Sequence, residues 1–242
     1  MSKEKAVIIL SGGMDSTVAL HKTIENFGVE NVKAISFNYQ SKHNDQEYLR
    51  AERTCKNLGV EHHRVDLSNI ADHLKSNLLK KGQDIPEGHY AEANMKKTVV
   101  PFRNGIMLSI ACGIAASWGA EKVVIGNHAG DHAIYPDCRE NFIENMSKAM
   151  EVGTYKGVSI YSPFCNVTKA DIVTIGEKYN VDWKNTYSCY NGEEVQCGKC
   201  STCFERREAF HLAGVEDPTK YQDKTNFLEL KKAYDERLKA ES

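Results

Sequence analysis

Apolar and polar positions alternate in blocks along the chain. Ala6-Val7-Ile8-Ile9-Leu10 is a short unbroken apolar run, the pattern of a strand buried on both faces of a parallel sheet. Just beyond it, Leu20, Ile24 and Phe27 recur at helical spacing. The pair of signals repeats. Residues 32–39 read as a second strand, followed by a helical stripe of Tyr48, Ala51, Cys55 and Leu58. A third strand is expected over 62–67 and a helix over 70–79. Residues 80–98, polar with Gly82, Pro86 and Gly88, read as a surface loop or lid. Residues 104–118 are apolar nearly all round, which suits a helix packed on a sheet face. A strand over 122–126, a helix over 140–151, a short strand over 159–162 and a helix over 170–179 complete the series. The alternation predicts an α/β fold, doubly wound, with a mostly parallel five-stranded sheet and helices on both faces. Ligands on such sheets bind at the carboxyl ends of the strands, near the point where the strand order reverses. Ser11, Tyr39 and Gly126 fall at predicted strand ends, so their loops should meet.

The turn between the first strand and helix carries the first chemical signal: Ser11-Gly12-Gly13-Met14-Asp15-Ser16, followed by Thr17-Val18-Ala19-Leu20. Two glycines let the backbone turn tightly and aim its N–H groups at an anion. The helix start adds unpaired N–H donors and the positive end of its dipole. A Walker A loop ends in Gly-Lys-Ser/Thr, and no lysine follows these glycines, so this is an anion cradle of another kind. Asp or Ser at such a position also serves as a plain helix cap. The string resembles the PP-motif of the N-type ATP pyrophosphatase superfamily. That resemblance implies an adenine nucleotide alpha hydrolase-like fold, ATP held by residues from Leu10 to Leu20, and cleavage between the α- and β-phosphates with AMP placed on an acceptor oxygen.

Composition narrows the setting. The chain has 242 residues and a net charge of −2, which supplies no general attraction for nucleic acid. Met1-Ser2-Lys3-Glu4-Lys5 leads straight into the first strand without a secretory signal, and no apolar run of membrane-spanning length is evident. A cytoplasmic protein is expected. Eight cysteines then need a reducing-compartment explanation. Cys55 and Cys112 occupy apolar positions of predicted helices and read as small buried hydrophobes. Cys197-Gly198-Lys199-Cys200-Ser201-Thr202-Cys203, with Cys189 upstream, reads as a thiolate metal site. Four cysteine ligands fill a tetrahedral shell, so the expected role is a structural zinc, one per chain. The same run also occurs at iron–sulfur clusters; the absent proline and the wide gap after Cys189 fit zinc better. A zinc-knuckle nucleic-acid module is the competing non-enzymatic reading, but only Lys199, Phe204, Arg206 and Arg207 would serve it. Residues 1–180 are therefore read as an ATP-binding unit and 181–242 as a small zinc-binding and helical segment packed on it. In the latter, Phe227, Leu230, Tyr234 and Leu238 share one helical face, either packed on the chain itself or offered to a second copy in a homodimer.

Three further segments sharpen the resemblance: Val100-Pro101-Phe102-Arg103-Asn104, Tyr135-Pro136-Asp137-Cys138-Arg139, and Thr186-Tyr187-Ser188-Cys189-Tyr190-Asn191-Gly192. With the PP-motif and the four cysteines they resemble the QueC family of queuosine biosynthesis, over the chain up to about residue 215. The resemblance implies that 7-carboxy-7-deazaguanine, ammonia and two ATP, with Mg2+, give the 7-cyano product, two AMP and two diphosphates. Membrane and direct nucleic-acid partners are not expected. Asp15 is the candidate for holding Mg2+. Arg103 is the candidate for a phosphate or substrate carboxylate, because its planar fork binds two oxygens at once, and Lys169 is a second candidate for phosphate charge. A surface ion pair and plain solvation are the ordinary roles of such residues. Tyr39, Tyr135, Asp131 and Asp137 could read the guanine-like substrate by stacking and by accepting its N–H groups. His128 and His132 lie in the same loop as Asp131. Cys138 is not needed as a nucleophile, since the reaction requires no acyl-enzyme. The chain departs from the usual pattern at Phe102, where a glycine is customary, and across Gly126–Ile134, where many members carry Cys-Glu-Thr-Asp-Phe-Ser. The latter leaves open a related enzyme that stops at the amide, and a tRNA-thiolating relative is the remaining alternative.

Overall fold

A computed structural model describes residues 4–88, 90 and 93–241. Its centre is a sheet of β1 (Ala6–Ile9), β2 (Val32–Asn38), β3 (Glu61–Asp66), β4 (Lys122–Val124) and β5 (Ser159–Tyr161). The order is β3-β2-β1-β4-β5 and every pair is parallel. Ile8 lies opposite Ala34 on one side and Val124 on the other. The chain winds outward from β1 to β3, then returns to β4, so the strand order reverses between β1 and β4. Ala6, Val7 and Ile8 of β1 are fully buried, and Ile9 partly so, because both faces are covered, which is why the run reads as an unbroken apolar string.

Alternation along β1 divides the core. Ala6, Ile8 and Leu10 join Val18, Leu20, Phe164, Ile172, Trp183 and Phe210, under α1 (Met14–Phe27), α2 (Asn44–Leu58) and later helices. Val7 joins Ile35, Phe37, Leu108, Val123 and Ile143 on the other face. That face is covered by α4 (Arg103–Trp118) and α5 (Glu140–Val152). Cys55 and Cys112 are buried in these two layers as expected. The stretch Met95–Trp118 is, by length and composition, apolar enough to cross a membrane, which corrects the sequence expectation that no such run exists. Here it is a 3-10 turn over Ala93–Thr98 followed by α4, whose Leu108, Ala111 and Ala115 lie against the sheet.

Two elements differ from the pattern reading. The expected helix over 70–79 is a single turn, α3 (Ser68–Ala71). Beyond it Leu78 and Leu79 are buried because the chain is pinned to the β2–α2 loop. Lys42 N–H donates to the Leu78 carbonyl, Ser41 bridges Leu79, and the Ser76 hydroxyl accepts from Leu78 N–H. Conversely α6 (Lys169–Lys178) is followed by an unanticipated helix, α7 (Ser201–Ala213), which starts inside the cysteine run and buries Cys203, Phe204, Ala209 and Phe210. Its Arg206 is wholly buried. The guanidinium donates to Thr186 Oγ1 (2.6 Å) and the Trp183 carbonyl (3.0 Å) and pairs with Asp217 (3.2 Å). This lock holds segment 183–187 in place, and Tyr187 N–H in turn donates to the Gly12 carbonyl (3.0 Å). The last helix, α8 (Phe227–Glu241), lays Phe227, Leu230 and Tyr234 on Phe204 of the same chain. That face is therefore packed on the chain itself; the Leu238 side chain lies outside the described residues.

Candidate active site

The reversal of strand order opens a cleft of about 240 Å3 at the carboxyl ends of β1 and β4. Leu10, Ser11, Gly13, Met14, Asp15 and Ser16 line it. The turn is held by its own hydroxyls: Ser11 N–H donates to Ser16 Oγ (3.2 Å) and Gly13 N–H to Ser11 Oγ (3.0 Å). Gly12 has φ +91°, and a Cβ there would sit 2.2 Å from the Glu47 carbonyl oxygen and 2.9 Å from Ala51 N. Across the reversal, a Cβ on Gly126 would lie 3.0 Å from Ser16 N, so the loop after β4 passes against the start of α1. Thr17 is buried, and Val18, Ala19 and Leu20 turn into the core. The first turn of α1 thus presents its N–H groups to the cleft while the next turn anchors it.

Charged groups gather beside this turn. Lys169, the first residue of α6, places Nζ 2.7 Å from Glu205 Oε2 and 3.3 Å from Asp15 Oδ2. Thr168 fixes that helix start by a capping box with Asp171. Burial opposes the Lys169 charge, but Asp15 and Glu205 together hold its pKa above the ordinary value. His128 Nε2 lies 3.7 Å from both Asp131 and Glu205 and 4.0 Å from Asp15. Asp15 and Glu205 are thus paired to one ammonium, with Asp131 acting on it from nearby, and among the described residues Asp15 Oδ1 and His128 Nε2 are buried without a hydrogen-bond partner. A donor set of carboxylate oxygens with unsatisfied atoms fits a hard divalent cation. Glu205 was invisible to pattern reading because its helix begins within the cysteine motif.

A second group of cleft residues surrounds Arg103, at the start of α4. Arg103 Nη1 donates to Tyr39 OH (3.2 Å), and Tyr39 OH lies 3.3 Å from His43 Nε2. His43 stacks on Tyr190, whose hydroxyl is 3.0 Å from that of Tyr135. Burial disfavours charge on Arg103, yet the hydroxyls of Tyr39, Tyr190 and Tyr135 keep its pKa above normal. Burial, then Arg103, lowers His43 to about 3, so its ring is neutral at pH 7. Burial also pushes the Glu47 carboxyl up to about 8, against the pull of Arg103. His43, Glu47 and Tyr190 escaped the sequence reading. The i,i+4 spacing of the first two, just after the β2 end, was the available signal. Asp131 lines the cleft, whereas Asp137 does not: its Oδ2 accepts the N–H of Asn104 (2.8 Å), at the amino end of α4. Burial raises the Cys138 thiol and Asn104 Nδ2 contacts it at 3.1 Å, which leaves it a protonated thiol. Phe102 caps α4 in the left-handed conformation (φ +54°), the conformation that a glycine customary at this position adopts freely.

Cys189, Cys197, Cys200 and Cys203 are all buried, with their sulfurs within 4.8 Å of one another. Four sulfurs bonded at about 2.3 Å to one tetrahedral ion lie about 3.8 Å apart, and Cys197 Sγ is 3.9 Å from Cys203 Sγ. Cys197 N–H and Cys200 N–H point at Cys189 Sγ and Cys197 Sγ, each at 3.3 Å. Hydrogen bonds from Cys189 and its neighbours push Cys197 below the ordinary thiol value and drive Cys200 and Cys203 up, so the four cannot all ionise without a cation. The donor set fits a metal. The knuckle also reaches the cleft. Glu87 forms an antiparallel bridge with Cys200 and a 2.8 Å ion pair with Lys199, and Tyr90 and Met95 of the same loop line the cleft. His89, Ala91 and Glu92 of that loop lie outside the described residues.

Comparison with known proteins agrees with this architecture. The family profile "Queuosine biosynthesis protein QueC" matches residues 5–214. A 7-cyano-7-deazaguanine synthase of Porphyromonas gingivalis is 48% identical over 223 residues, 92% of this chain and 100% of the relative. The chain belongs to the QueC family. Another relative of that name, from Rhizobium rhizogenes, is 46% identical over 221 residues, 90% of this chain and 92% of its own length. Among solved structures, an NMN synthetase from Francisella tularensis superposes with a TM-score of 0.50 at 14% identity, covering 97% of this chain and 85% of that one. At that identity the likeness is one of fold. The QueC match includes the PP-turn, Arg103, Lys169 and all four clustered cysteines, and it ends where α7 meets Gly214.

Proposed function

We propose that this QueC protein uses ATP twice to turn 7-carboxy-7-deazaguanine and ammonia into 7-cyano-7-deazaguanine, releasing two AMP and two diphosphates. The observation that carries the reading is that a phosphate cradle and a half-buried arginine–tyrosine cluster share one cleft. A carboxylate resists ammonia because its leaving group would be oxide. Transfer of AMP onto its oxygen supplies a good leaving group, ammonia forms the amide, and a second transfer onto the amide oxygen lets elimination give the nitrile. Both transfers need alignment and charge neutralisation more than covalent catalysis.

The PP-turn from Leu10 to Ser16 holds the departing diphosphate, with Thr17–Leu20 anchoring it. Asp15, with Asp131 and Glu205 nearby, would hold Mg2+, which supplies charge neutralisation at phosphate. Lys169 exchanges its carboxylate partners for phosphate oxygens, and Arg103 takes the substrate carboxylate. Tyr39 and Tyr135 pack on the deazaguanine ring. The four cysteines hold a structural zinc, and residues 181–242 buttress the ATP-binding unit of 1–180. The protein acts in the cytoplasm as a homodimer on small molecules, without contacting nucleic acid, and its dimer contact lies away from α8. Incubation with 7-carboxy-7-deazaguanine, ammonium and Mg-ATP, followed by mass analysis, tests the reading. Nitrile plus AMP is expected. Amide as the sole product would assign a truncated reaction, and ADP as the nucleotide product would refute the PP-motif chemistry.

A further inference from the structure

Glu47 has no part in the scheme above, yet it lies between that scheme's two halves. It sits in the first turn of α2 and lines the cleft. Its Oε2 is 3.6 Å from His43 Nε2, its backbone carbonyl lies against Gly12 of the PP-turn, and the nearby Ser11 hydroxyl favours its ionised form. Arg103 acts on it from α4, and Tyr39 flanks it from the end of β2. A substrate carboxylate held by Arg103, its oxygen attacking the α-phosphorus of ATP over the PP-turn as diphosphate leaves, places its carbon, and hence the incoming nitrogen, beside this side chain. With 17% of its side chain exposed, Glu47 keeps an edge open to solvent for returning protons.

The reaction must shed protons from nitrogen. In the first acyl stage the nitrogen lone pair forms the C–N bond, the C–O bond to AMP breaks with its electrons leaving on AMP, and the ammonium-like nitrogen loses one proton to become the amide. In the second stage the adenylated amide, its nitrogen cationic, loses two protons as the C–O bond to AMP breaks and the nitrile forms. We propose that Glu47 is the group that accepts these protons one at a time, passing each to water before the next. This assignment rests on the proposed function. His43, neutral and stacked on Tyr190, is its positioning neighbour. A carboxyl raised to about 8 by burial is ionised often enough near neutral pH to act, and basic enough to hold a proton once taken.

Glu47→Gln keeps the shape and removes the base. Carboxylate-dependent exchange of labelled diphosphate into ATP, which reports the first AMP transfer alone, should stay near wild type. Amide and nitrile formation should fall about 10²- to 10⁴-fold, the usual loss for a removed general base. Hydroxylamine, uncharged at neutral pH and easily deprotonated after attack, should still trap the adenylate as a hydroxamate. Glu47→Asp should recover part of the nitrile rate, metal content should match wild type in both variants, and Glu47→Gln should melt no lower than wild type. Nitrile formation by Glu47→Gln at the wild-type rate overturns the proposal, as does a parallel fall in exchange, which would move Glu47 into AMP transfer. A wild-type protein that shows no exchange with 7-carboxy-7-deazaguanine refutes the proposed function itself.

Discussion

Gly12→Ala separates two costs that the structure makes measurable. The first is conformational: φ at Gly12 is +91°, where a Cβ costs about 1–2 kcal/mol. The second is steric: the new Cβ would sit 2.2 Å from the Glu47 carbonyl oxygen and 2.9 Å from Ala51 N, both backbone atoms of α2. Neither can swing aside as a side-chain tip would, so the turn and α2 must part, at a further cost of about 1–3 kcal/mol. Gly59 supplies the control. It has φ +71° and nothing within 4 Å of its Cβ position, so Gly59→Ala bears the first cost alone. For a chain of this size each kcal/mol lowers the melting temperature by about 2–4 °C. Gly59→Ala should then melt about 2–8 °C below wild type, and Gly12→Ala about 4–20 °C below, with the excess being the steric share. The same parting displaces Glu47 and the hydroxyl-braced turn, so Gly12→Ala should also raise KM for ATP, while Gly59→Ala should leave it unchanged. Scanning calorimetry and steady-state kinetics on the three proteins decide the matter. Equal melting temperatures for the two variants, or an unchanged KM for ATP in Gly12→Ala, would refute the account of how α2 shapes the turn.

Other outcomes follow from the charged groups. Lys169→Met leaves Asp15 and Glu205 without their shared cation and should cost about 3 kcal/mol, low in the range for buried pairs because part of the lysine is exposed. Its folded pKa is raised, so its stabilisation is complete below about 10.4 and the loss should be constant between pH 6 and 9; a loss that varies over that window contradicts the assignment. Glu47 behaves in the opposite sense across neutral pH. With its folded pKa raised from 4.5 to about 8, its stabilisation is full below 4.5 and is lost as pH rises to about 8. Glu47→Gln should therefore gain on wild type by about 1.4 kcal/mol per pH unit through that window, and parallel melting curves at every pH would show the carboxyl to be unperturbed. Chelation of the metal should release the Glu87 bridge to Cys200, make residues 80–98 sensitive to protease and raise KM for both substrates; an unchanged digestion pattern would separate the knuckle from the cleft.

Much of this was legible because period and burial coincide. The β1 run, the α2 stripe and the all-round apolar α4 each announce the faces they pack against, and the PP-turn lies where a strand pattern gives way to a helical one. The failures have physical causes. Leu78 and Leu79 supply apolar positions that suit a helix, but the chain uses them to pin a loop to Ser41 and Lys42, a tertiary contact with no local signature. The start of α7 was masked because cysteines serve both as metal ligands and as the buried face of a helix, and Glu205 was hidden with it. Glu47 and His43 look like ordinary surface residues in sequence. Only the approach of α2 to Gly12 turns them into the cleft.

That approach also gives the cleft two electrical ends. Around Arg103, His43 is neutral at pH 7 and Glu47 is mostly protonated below its raised pKa, so the guanidinium is left as the uncompensated charge there. Around Asp15 the balance reverses, with Asp15 and Glu205 paired to the Lys169 ammonium and Asp131 acting on it from nearby. A substrate carboxylate is drawn to the first end, and a cation carrying ATP phosphates to the second. The two reactants are thereby oriented before any bond changes. Once the carboxylate has neutralised Arg103, the pull that lowers the Glu47 pKa weakens, and the carboxyl becomes a stronger base when nitrogen arrives. Arg103→Met should therefore weaken substrate binding and also move the Glu47 titration upward. A two-dimensional NMR titration of labelled glutamate in that variant would show it, and a downward or absent shift would break the link between the two residues.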